Sequence, residues 1–102
     1  IAEFEIERQQ IGIDENLLFA AQIKFANPIN NYLELSLTSA NAKNPKIRIL
    51  NLTGAEMHKG ILQQNGNQFT YVCDLSSFAK GLYFIEITAA NGLRSVKKMT
   101  KI

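Results

Sequence analysis

Cysteine is all but absent. Cys73 stands alone, so no disulfide can form within the chain, and a single thiol leaves the redox compartment open. Histidine is equally scarce: His58 has no cysteine or second histidine at zinc-ligand spacing. Tryptophan is missing, and no run reaches the roughly 20 apolar residues of a membrane helix, so stable helical insertion is not expected. No nucleophile elbow, phosphate loop or pair of catalytic carboxylates occurs, and no cofactor or metal is implied. The basic residues do not interleave with exposed aromatics as a nucleic-acid platform requires. No basic-then-apolar leader opens the chain, and its first residue is Ile1 rather than Met. The expectation is a piece of a longer protein, with room for a signal peptide upstream.

What remains is the composition of one folded domain: 102 residues, 46% hydrophobic and 20% charged. The net charge of +2 is small but unevenly spread. Residues 1–34 hold six acids against two bases, and residues 35–102 three acids against nine bases. The last acid is Glu86, after which Arg94, Lys97, Lys98 and Lys101 follow.

The hydrophobic period is two rather than 3.6, which argues for strands. Phe4 and Ile6 alternate with Glu3, Glu5 and Glu7. IGIDENLL reads as a turn, FAAQIKF as a strand stopping at Asn27-Pro28, and no sustained helical stripe appears. Leu33, Leu35 and Leu37 share a face, as do Ile47 and Ile49, after which Leu50 and Leu52 suggest a bulge before Thr53-Gly54. AEMHKGILQ reads as one return strand, and Asn65-Gly66 and Asn91-Gly92 as hairpin turns. Phe69, Tyr71, Cys73 and Leu75 form one more buried face, and Tyr83, Ile85 and Ile87 another. Seven or eight short strands at intervals of roughly 8–12 residues form the pattern of an all-β sandwich.

The remaining chemistry-bearing residues fit structural roles better than catalytic ones. Cys73 lies on a core parity, without the exposure and basic partner that a nucleophile needs. Glu3, Glu5 and Glu7 could hold a hard cation but read more simply as a solvated edge. Asp74 precedes Ser76, where a carboxylate fixes a turn by accepting backbone N–H bonds. Asn51-Leu52-Thr53 matches a glycosylation sequon, a short motif that arises often by chance. An enzyme is not expected.

Taken together, IGIDENLL, IKFANPINNYLELSL, IRILNLTGAEM, DLSSFAKGLYFIEI and the closing KKMTKI resemble the type A C-terminal sorting domain of the type IX secretion system of Bacteroidetes-type bacteria. The likeness spans Gly12 to Ile102. Asn27 and Pro28 match the family's Pro-Asn-Pro turn, with Ala26 in place of its leading proline. Asn51 and Gly54 match its Asn-x-x-Gly turn. Gly81 and Tyr83 match its Leu-x-x-Gly-x-Tyr motif, with Phe78 for the leucine. Lys97, Lys98, Met99 and Lys101 match its closing strand.

The resemblance implies an immunoglobulin-like β-sandwich of about seven antiparallel strands and a delivery label rather than an activity. Residues 1–11 would then be a linker or the end of a preceding cargo domain, and 12–102 the sorting domain. The implied partners are the outer-membrane translocon and a sortase-type peptidase that removes the domain, cutting in or upstream of Glu7–Asp14. Cargo would pass the periplasm and reach the cell surface or medium. The terminal strand is expected to turn Val96 or Met99 inward and its lysines outward. The competing expectation is a retained immunoglobulin-like module binding carbohydrate or protein, with Tyr32 and Phe84 on outward parities.

Overall fold

The computed structural model describes residues 15–102. One helix, α1 (Glu15–Ala21), precedes eight strands: β1 (Ile23–Phe25), β2 (Tyr32–Thr38), β3 (Lys46–Leu50), β4 (Glu56–Ile61), β5 (Gln63–Asn65), β6 (Gln68–Asp74), β7 (Gly81–Thr88) and β8 (Arg94–Lys101). They form two antiparallel sheets of four strands, ordered β1-β2-β6-β5 and β4-β3-β7-β8. The all-β sandwich is therefore confirmed, with eight strands among the described residues, as the hydrophobic pattern allows and one more than the resemblance implies. The alternating segment Glu3 to Glu7 lies outside them.

Cross-strand pairing matches the hydrophobic period. Leu33, Leu35 and Leu37 lie opposite Cys73, Tyr71 and Phe69 in one sheet, and Ile47 and Ile49 opposite Ile87 and Ile85 in the other. These two inner faces meet in a continuous core with Leu75 and Met99. Each large side chain buried there contributes about 1.5–3 kcal/mol. The expected bulge is present as a register shift between Ile49 and Leu50.

Two segments differ from the sequence reading. ENLLFAA is helical rather than turn and strand. Only Phe19 of this stretch is buried, while Leu17 and Leu18 face outward, so the seven residues show no apolar stripe. Glu15 in the first turn suits the helix dipole, and burial of Phe19 supplies the stability that so short a helix lacks on its own. The return strand after Gly54 is two strands in different sheets. The chain crosses at buried Leu62, whose amide donates to the Pro45 carbonyl at 3.1 Å.

Candidate functional site

The strand directions carry the sorting-motif residues to one pole of the sandwich. The ends of β1, β3, β6 and β8 and the starts of β2, β4 and β7 all lie there, since Tyr32 pairs with Asp74, Leu50 with Phe84 and Gly81 with Lys101. Residues spread over most of the chain thus become neighbours.

Asn27 begins this assembly. Past a cis Asn27-Pro28 peptide, the chain leaves the first sheet and lays Ile29 parallel to β8 at Lys101. The Ile29 amide donates to the Thr100 carbonyl at 2.8 Å, and the Ile102 amide donates to the Ile29 carbonyl at 2.9 Å. The Asn27 side chain completes the seam, its Oδ1 accepting the Thr100 amide at 2.9 Å. Two residues on, the Asn31 carbonyl accepts the Leu75 amide at 2.7 Å and draws in the loop after β6.

Asn51 organises the loop after β3. Its Oδ1 accepts from the Thr53 hydroxyl at 2.7 Å, the Ala55 amide at 2.9 Å and the Thr53 amide at 3.0 Å. Gly54, at φ +88°, closes that turn where a side chain would be strained. Gly81 enters β7 at φ +145°. Two residues later Tyr83 buries its ring, donates its hydroxyl to the Ala79 carbonyl at 2.7 Å, and meets Phe78 with ring centroids 5.5 Å apart. Asn51, Leu52, Thr53, Lys80, Gly81 and Tyr83 line a shared shallow depression.

The closing lysines do not all face outward. Met99 is fully buried, and the two-residue period of a strand then turns Lys97 and Lys101 to the same side. Lys101 is only 6% exposed, its ammonium donating to the Ile102 backbone oxygen at 3.1 Å, and Lys97 is half-buried. Lys98 alone of the three points freely outward, beside the exposed Val96.

Elsewhere the titratable groups act as fasteners. His58 Nε2 lies 2.6 Å from the Tyr71 hydroxyl, linking the two sheets. Burial pushes the Cys73 thiol up, and the Asp74 charge adds to this, which opposes thiolate formation. Asp74 accepts the Ser76 amide at 2.9 Å, which holds its carboxyl below the ordinary range. Glu86 is buried on the outer face of β7. Burial pushes its carboxyl up, but hydrogen bonds from Arg48 at 2.7 Å and Arg94 at 2.9 Å outweigh this and hold it low. Among the described residues no group of three histidine, cysteine or acidic side chains could hold a metal ion. No helix there is long and apolar enough to cross a membrane.

Ile29, Thr100 and Ala79 belong to the pole as much as the motif residues do, yet they take part through backbone atoms. No side-chain pattern marks such residues in a sequence. Asn16, which accepts the Arg94 amide at 2.9 Å, lies on the unexpected helix.

No curated protein matches the chain. A family model, described as the secretion system C-terminal sorting domain, matches residues 25–101, from the last residue of β1 to the last of β8. The chain belongs to that family, the C-terminal sorting signals of type IX secretion, which is not a catalytic family.

Proposed function

We propose that the pole joining Asn27–Ile29, Asn51–Gly54, Gly81–Tyr83 and Met99–Lys101 is the surface by which the type IX outer-membrane translocon recognises this sorting domain. The observation that carries the reading is the convergence itself: motif residues separated by most of the chain share one end of the sandwich. Within it the motif residues divide their work. Asn27, Pro28, Asn51, Gly54, Gly81, Tyr83, Met99 and Lys101 set backbone shape and fasten the last strand, while Lys97 and Lys98 supply charge along its edge. The translocon would read a folded contour rather than a linear tag.

A sorting domain acts on a preceding cargo domain, whose destination is the cell surface or the medium. In our reading residues 1–11 are linker or cargo end and 12–102 the sorting domain. Cargo crosses the periplasm, and a sortase-type peptidase then cuts in or ahead of Glu7–Asp14. The immunoglobulin-like form of the sandwich is supported by the strand order and by Tyr83. Sheets ordered A-B-E-D and C-F-G, with a tyrosine hydroxyl bonded back across the E–F corner, are marks of that fold. The alternative of a retained carbohydrate-binding module is disfavoured because Tyr32 and Phe84 lie on the outer faces of opposite sheets and cannot form one platform.

A transfer experiment tests the reading. The full chain is fused behind a periplasm-targeted fluorescent reporter, in hosts with and without the secretion system. Reporter at the surface or in the medium of the intact host alone, with the domain removed, is the expected result. Reporter held in the periplasm of both would overturn it.

A further inference from the structure

Helix α1 packs against β8, and its last residue, Ala21, reaches a groove beside Lys97 and Lys98. Yet the free edge of β8 is stoppered by hydrogen bonds only at its two ends and, among the described residues, has no strand partner between them. Its even-numbered residues turn their backbone groups away from β7, as the Arg94 and Thr100 amides show. Arg94 is capped by the Asn16 side chain, and Thr100 by Asn27 and Ile29. Between these stoppers the same period directs the N–H and C=O groups of Val96 and Lys98 outward. Among the described residues nothing pairs with them. An unpaired edge is a template for strand addition unless it is covered.

The space beside this gap is a groove rather than open surface. Ile23, Lys24, Phe25, Glu34, Lys97 and Lys98 line it, so β1 forms one wall and the β8 edge the other. Three cations and one carboxylate give the groove a positive balance, and half-buried Phe25 adds an apolar wall.

We propose that the Val96–Lys98 gap binds a short extended acidic peptide, which adds to β8 as a further strand. The stoppers limit pairing to about three residues, the reach of two outward positions one period apart. Acidic residues on that peptide take the outward side with Lys98, the charges of Lys24 and Lys97 along the groove add attraction, and an apolar residue between them takes the inward side with Phe25. This deepens the proposed recognition of β8 by giving the partner a chemistry, and it rests on that reading only for its place in secretion.

Solution NMR of the full chain is the test. The probe is a five-residue peptide alternating valine and glutamate, blocked at both ends, with a valine–lysine peptide as control. Saturable shifts at the Val96 and Lys98 amides, with slowed hydrogen exchange there, are expected with the glutamate peptide alone. Val96→Pro removes one outward N–H without touching the β7 ladder, and should abolish the shifts. Lys24→Glu, at an exposed position, should weaken binding about threefold or more and keeps the test independent of how the proline variant folds. Unmoved Val96 and Lys98 amides, equal binding of both peptides, or shifts centred on the other sheet edge at Met57 and Lys59 would each overturn the proposal. Lost peptide binding with intact reporter export would separate its fate from that of the sorting surface.

Discussion

The Asn27 side chain accepts the amide of Thr100 at 2.9 Å across 73 residues of sequence, joining the first turn of the sandwich to its last strand. This bond and the paired backbone of Ile29 keep the terminal strand from fraying. Asn27→Ala should therefore cost about 0.5–1.5 kcal/mol, the worth of one hydrogen bond. Faster hydrogen exchange at Thr100 and Ile102, with the amides of β2 and β6 unchanged, is the expected signature.

Tyr83→Phe isolates the hydroxyl that reaches Ala79 from the ring that packs on Phe78. The ring stays, so the core loses nothing, and the Ala79 carbonyl loses its donor. A loss of about 1–2 kcal/mol in urea unfolding is expected. Tyr83→Ala should cost several kcal/mol, by removing the ring as well.

Gly60 lies under the Tyr71 ring, and a methyl group built there would fall within the ring atoms. Gly60→Ala must displace Tyr71 and break its contact with His58, for about 1–3 kcal/mol. In the background of Tyr71→Ala the same substitution should cost almost nothing. A double-mutant cycle by thermal unfolding measures that coupling.

Glu86 sets a pH dependence whose sign is fixed. Its carboxyl is held below the ordinary value, so its contribution is complete above about pH 4.3, the ordinary glutamate range, and is lost as pH falls through the lower folded value. Glu86→Gln leaves Arg48 and Arg94 without their shared carboxylate. The variant should be less stable at pH 7 by about 1–3 kcal/mol and should lose less stability than the parent between pH 5 and pH 3. Urea midpoints across that range decide it.

The sandwich was legible because alternation at Leu33–Leu37, Ile47–Ile49 and Tyr83–Ile87 reports a buried face directly. Helix α1 was not, since Phe19 is its only buried residue and a single anchor makes no period. The crossing at Leu62 hid for a related reason: an apolar residue between two sheets looks like one more position in a strand. The inward turn of Lys97 and Lys101 was available from their shared parity with buried Met99. Hydrophilic character suggested exposure, and the strand period decides otherwise. Gathering of the motifs at one pole depends on pairings between distant backbones, which no local pattern encodes.

The seam between Ile29 and the Thr100–Ile102 segment makes the opening turn of the sandwich depend on its last strand. A chain halted or trimmed before Thr100 lacks both the bond to Asn27 and the bridge to Ile29, so its opening turn has nothing to close upon. The contour at this pole therefore stands or falls as one unit: losing the Thr100–Ile102 segment unlocks Asn27, 73 positions away in sequence.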